Sequence, residues 1–121
     1  MAVRRHPDTG DRHLDLLKWG LVPAFKKDLR QGRWSINARA ETVATVGMSR
    51  AALAQRRCLV PAGAFYEWKA EPVGKQPFAI ARADGNPMAF AGLWEAWKYP
   101  DGAILRSFAI ITTAANATMA K

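Results

Sequence analysis

Cysteine is nearly missing: Cys58 is the only one in 121 residues, which excludes an intrachain disulfide framework. Histidine is almost as scarce, since His6 and His13 are the only two and both lie in the polar start. With a single cysteine they form no set at zinc-binding spacing, so neither a metal nor a cofactor is expected. No apolar run approaches the length of a membrane span. The opening MAVRRHPDTGDRH is charged where a secretory signal is apolar, so the expectation is a cytoplasmic protein with no membrane partner. No glycine-rich phosphate loop, G-x-S-x-G element or helical metal motif occurs. Acidic residues are also in short supply, ten Asp and Glu against 18 Lys and Arg, for a formal charge of +8.

The excess is uneven. Through Arg57 there are twelve basic and five acidic residues, a net of +7; from Cys58 onward six face five, a net of +1. Clustered Lys and Arg neutralise phosphates and release counterions, so the asymmetry favours a polyanionic partner. A basic solvated surface with no nucleic-acid role is the alternative. Half of the residues are apolar, enough to bury one core, and residues 1–121 read as a single domain.

Residues 1–13 read as a turn or hairpin end, and HLDLLKWGLVP as an extended apolar element closed by Pro23. FKKDLRQGRW is a polar surface loop. In the stretch that follows, Trp34, Ile36 and Ala38 alternate with Ser35, Asn37 and Arg39, the period of a strand with one buried face. MSRAALAQR has helical spacing with Ser49 as N-cap. Strands are expected at QPFAIARA, MAFAGLWEAW and ILRSFAIITT, with Asp-Gly turns between them that signal hairpins. TAANATMAK reads as the first turns of a helix. The fold class is α+β: a mainly antiparallel sheet, partly open and barrel-like, laid out as a meander with a few short flanking helices.

Within RRCLVPAGAFYEWK, Glu67 sits in the most aromatic run of the chain. If that run is extended, Phe65 and Glu67 face one side while Tyr66 and Trp68 face the other. A carboxylate beside aromatic rings loses hydration, which raises its pKa toward that of a neutral-pH proton donor; an edge-strand glutamate with its head in water is the other reading. Asn37 is a polar side chain among hydrophobic ones or an ordinary strand-end asparagine. Arg39 and Glu41 suit a surface ion pair. Trp68, next to Lys69, and Phe25, before Lys26 and Lys27, are the rings best placed to stack on unpaired bases; core or rim packing is the competing role of every aromatic. Cys58 reads as a buried, inert thiol.

Taken together, WGLVPAF (19–25), INARAET (36–42), RRCLVPAGAFYEWK (56–69), KQPFAI (75–80), AFAGLWEAW (89–97) and ITTAAN (111–116) resemble the SOS response-associated peptidase (SRAP) family in order and spacing. That resemblance implies recognition of single-stranded DNA at an abasic site. It also implies a covalent bond, in which the amine and thiol of an N-terminal cysteine close a thiazolidine on the sugar aldehyde. It implies that Asn37 orients the cysteine and Glu67 transfers protons, and that Arg39 contacts a phosphate while Trp68 and Phe25 line the DNA. The sequence departs from the family pattern at Ala2, where the family has cysteine, and at Gly63–Ala64, whose order is exchanged; the family histidine lies in an element beyond Lys121. The expectation is therefore an internal segment of a family protein, with crosslinking lost and self-association through uncovered edges. A non-catalytic single-stranded nucleic-acid binding module and an inactive fold remnant are the alternatives.

Overall fold

The computed structural model describes residues 1–30, 32 and 34–114. The helix expected at TAANATMAK lies almost wholly outside them. Among the described residues nine strands and one helix follow in chain order: β1 Ala2–Arg5, β2 Arg12–Asp15, β3 Lys18–Trp19, β4 Asn37–Arg39, α1 Arg50–Gln55, β5 Arg57–Ala62, β6 Phe65–Ala70, β7 Lys75–Ile80, β8 Met88–Lys98 and β9 Ile104–Thr112. Seven strands form one curled sheet in the order β2-β1-β5-β8-β9-β3, with β4 also on β9; β6 and β7 make a separate ribbon. The expected class stands, with far more strand than helix.

The meander needs correction. β3 and β4 pair with β9 in parallel, because each reaches it by a crossover rather than a tight turn. The turn at Asp101–Gly102 joins β8 to β9 as a true hairpin, Lys98 opposite Ile104. The turn at Asp84–Gly85 does not close a hairpin: β7 pairs with β6 while β8 pairs with β5. β5 and β6 are nearly continuous in sequence, and their partners β7 and β8 take successive stretches of them.

Alternation along the strands builds a core on each face. In β5, Cys58 and Val60 are buried while Arg57, Leu59 and Pro61 are exposed. They join Ala2 and Phe108, with Leu17, Phe90, Trp94 and Ile110 packed around them. The opposite face packs Val43, Ala52 and Leu93 against Ala38, Leu53 and Ile111. β9 serves both, since Phe108 and Ile110 point one way and Ala109 and Ile111 the other. Leu93 is fully buried, a burial that contributes about 2 kcal/mol. Ser49 occupies the N-cap position of α1 but makes no side-chain cap. Its hydroxyl donates instead to the Val43 carbonyl at 2.9 Å, binding the preceding loop to the helix.

The segment after β3 crosses the second face and is held there by three side chains. The Val22 N–H donates to Ser107 Oγ at 2.9 Å, the Ala24 N–H to Glu95 Oε2 at 3.1 Å, and Trp97 Nε1 to the Lys26 carbonyl at 2.7 Å. Glu95 and Ser107 are directly opposed across β8 and β9. Gly20, which begins the crossing, has φ +131°, and an added Cβ would meet Trp34 Cβ at 3.2 Å; the bend requires glycine.

Candidate nucleic-acid interface

Register decides which of the candidate side chains share a face. Asn37 is opposite Ile110, Ile110 is opposite Gly92, and Gly92 is opposite Cys58. Residues directly opposed on neighbouring strands point to the same side, so Asn37 and, two residues on, Arg39 project from the face of the Cys58 core. β4 and β5 run in the same direction, and β6 leaves the sheet from the end where β5 runs out. At that junction Phe65 packs edge-on against Phe90 of the same core, ring centroids 5.4 Å apart. Glu67 lies on Phe65's side of β6. The fold thus puts Asn37, Arg39 and Glu67 on one side and toward one end. Glu67 stays in a separate sheet from Asn37 and Arg39, and among the described residues no hydrogen bond joins it to them.

Of the two readings of Glu67, the structure shows the edge-strand glutamate with its head in water. Every residue from Tyr66 to Ala79 is exposed, because a two-stranded ribbon whose half-buried pair is Phe65 and Ile80 has, among the described residues, no layer against either face. Trp68, 60 % exposed, is on the other side of β6 from Glu67. Phe25 stands apart from this set: its ring is 65 % exposed, but Ala24 and Lys26 on either side are fastened to Glu95 and Trp97 of the opposite face. Arg39 Nε lies 3.4 Å from Glu41 Oε2, with both side chains largely in solvent, the surface pair that the spacing suggested. Hydrogen bonding from its own backbone N–H, helped by the Arg39 charge, holds the Glu41 carboxyl below its ordinary value.

Cys58 is buried, and burial pushes its thiol up to about 11, which suits an inert packing residue. His13 is more than a surface residue, since its Nε2 lies 2.8 Å from Asp15. Asp15 also pairs with Arg4, whose guanidinium lies 4.3 Å from the centre of the Trp94 ring. No group of three or more His, Cys, Asp or Glu among the described residues is placed to hold a metal. No helix among them is long and apolar enough to cross a membrane.

The sequence reading missed Glu95. It is 2 % exposed, and its Oε1 accepts from Arg56 Nε at 3.1 Å and Nη2 at 2.7 Å. The signal was available in LWEAW, where Leu93, Glu95 and Trp97 share one side of a strand and only the middle residue is charged.

The sequence model of the family described as SOS response associated peptidase (SRAP) matches residues 1–121. The chain is 43 % identical over 113 residues to the abasic site processing protein YoqW of Bacillus subtilis, covering 93 % of this chain and 50 % of that protein. It is 37 % identical over 108 residues to the abasic site processing protein YedK of Escherichia coli, covering 86 % and 45 %. It is 28 % identical over 138 residues to the abasic site processing protein HMCES of Xenopus tropicalis, covering 96 % and 41 %. The chain spans about half the length of these curated relatives or less. A crystal structure of a protein from Bacteroides thetaiotaomicron superposes with a TM-score of 0.82 at 25 % identity, over 97 % of this chain and 51 % of that one.

Proposed function

Because the chain belongs to the SOS response associated peptidase (SRAP) family, we propose that it binds single-stranded DNA at abasic sites. The observation that carries the reading is the shared side of Asn37, Arg39 and Glu67, set by the register through Ile110, Gly92 and Cys58 and by the contact of Phe65 with Phe90. In this reading Asn37 hydrogen-bonds the opened sugar, Glu67 exchanges protons with it, and Arg39 holds a neighbouring phosphate. Trp68 and Phe25 offer exposed rings on which bases of the strand stack.

Cys58 is buried mid-strand, with no free amine beside its thiol to close a thiazolidine, so it does not supply a covalent bond to the sugar. The protein acts in the cytoplasm on damaged DNA.

Fluorescence anisotropy with abasic and intact oligonucleotides of one sequence tests the reading, together with a denaturing gel. The expected result is tighter reversible binding of the abasic strand, a preference lost in Asn37→Ala and Glu67→Gln, and no adduct on the gel. Equal affinity for both strands favours the second reading, a non-catalytic single-strand binding module, to which the open exposure of Glu67 lends support. A robust adduct overturns the assignment of Cys58 as an inert packing residue.

Self-association is part of the same proposal. β2 is an edge strand whose Leu14 is 54 % exposed, with Leu16 beyond it 86 % exposed, a surface that templates pairing between copies. Light scattering from a compact monomer at high concentration argues against it.

A further inference from the structure

Three arginines stand side by side on the face away from Asn37. Arg12 is directly opposite Arg5 in the β1–β2 hairpin. The Val3–Leu59 pair, continued two residues along in the same antiparallel sense, sets Arg57 toward Arg5 from the other side, and both line one cavity. Opposed residues share a face, so three arginine side chains leave one face from three adjacent strands whose backbones lie about 5 Å apart. Leu59 and Arg57 alternate with Cys58 and Val60 along β5, which places the row on the opposite side of the sheet from the lesion-binding face.

Like charges opposed in this way repel, and nothing local neutralises them. All three arginines are exposed, and among the described residues none takes part in an ion pair. A cavity of about 420 Å³ opens beside the row, walled by Arg5, Arg57, Arg56, His6 and Trp94. Arg56 is committed to Glu95. Arg57 is oriented by its Nε, which donates to the Leu53 carbonyl at 2.7 Å, so its terminal nitrogens stay available. His6 Nδ1 accepts the N–H groups of Asp8 and Thr9 at 3.2 and 3.3 Å, which leaves Nε2 as the ring's donor. Asp8 and Asp11, the acids of the intervening turn, do not line the cavity.

We propose that this arginine row is a phosphate-binding site, filled by the phosphodiester backbone of the nucleic acid as it passes the β1–β2 edge. Guanidinium groups match phosphate oxygens two at a time, and a bound phosphate turns a repulsive row into a compensated one. The inference takes its ligand from the proposed DNA binding, while its chemistry stands on the row alone.

The test compares the wild-type protein, the triple variant Arg5→Gln/Arg12→Gln/Arg57→Gln, the single variant Arg5→Gln and, as a marker of the other face, Arg39→Gln. Affinity for an abasic oligonucleotide of about 30 nucleotides is measured across salt concentrations. Each phosphate contact on a single strand contributes a slope of about 0.7, so the triple variant flattens log K against log salt by about 2 and Arg5→Gln by about 0.7. The preference for abasic over intact strands stays unchanged in both. Arg39→Gln flattens the slope by one contact and reduces that preference. In phosphate-free buffer the triple variant melts above wild type because the repulsion is gone, and inorganic phosphate raises the Tm of wild type and of Arg39→Gln, whose row is intact, but not that of the triple variant. A phosphate-dependent Tm with an unchanged DNA slope assigns the row to free phosphate and overturns the backbone contact. An unchanged slope together with a phosphate-insensitive wild-type Tm overturns the site altogether, even where DNA binding and abasic preference persist. Loss of preference with the slope effect intact refutes the lesion face and leaves the row standing.

Discussion

Replacing Glu95 by alanine tests whether one buried carboxylate holds two distant parts of the chain together. The side chain is 2 % exposed and accepts two bonds from Arg56, at 3.1 and 2.7 Å, and one from the Ala24 N–H, at 3.1 Å. Its loss strands a guanidinium and a backbone donor at once. Breaking a buried ion pair from one side costs about 3–5 kcal/mol. Arg56 is 24 % exposed, so water partly replaces its lost partner and the lower end, about 3 kcal/mol, applies. For a chain of this size that lowers Tm by about 12 °C. Glu95→Gln retains a carbonyl for one of these donors and should cost about half as much. Urea unfolding followed by tryptophan fluorescence reads the change as a lower midpoint with unchanged m, and a cycle with Arg56→Ala should give a coupling of about 1–3 kcal/mol. A loss below about 0.5 kcal/mol in Glu95→Ala, or no coupling, refutes the reasoning.

Gly92→Ala should destabilise by about 1–3 kcal/mol through overpacking, because its Cβ would meet Cys58 Sγ at 2.9 Å and both the Ala109 carbonyl and Val60 Cγ2 at 3.1 Å; denaturant midpoints check it. Cys58, whose thiol is raised from 9.0 to about 11 by burial and partly restrained by the Arg4 charge, should resist thiol reagents at pH 8 until urea unfolds the chain. Because the folded state holds this proton more tightly, its contribution to stability is present below pH 9 and is lost as pH rises toward about 11. Asp84 is held down from 3.8 to about 2 by Arg82 and the Asn86 N–H, so its contribution is full above pH 4 and disappears as pH falls from 3.8 toward about 2. Arg82→Ala should raise the Asp84 titration measured by NMR.

Much of the fold was legible because alternation is a local property. The alternation at 34–39 and the apolar runs at 76–83, 88–97 and 104–113 mark strands, the Ala-rich stretch marks α1, and the second Asp-Gly turn marks a hairpin. The first Asp-Gly turn was misread for a physical reason: a turn fixes the direction of the chain, while the partner of each strand is settled by which long segment it meets. β7 met the extension of β5 and not β8. The two readings of Glu67 stayed open for a related reason, since aromatic neighbours in sequence dehydrate a carboxylate only when another layer covers them.

Composition and motif order established by themselves a basic, strand-rich domain of the SRAP family with no disulfide framework, and they singled out Asn37, Arg39 and Glu67 as residues to locate. Only the tertiary structure decided that these three share a side, that Glu95 is a buried tie, and that Arg12, Arg5 and Arg57 form a row. The reason is that a strand's own sequence specifies which residues alternate, while the register between strands far apart in the chain specifies which alternating sets coincide, and that register is set by packing over the whole sheet.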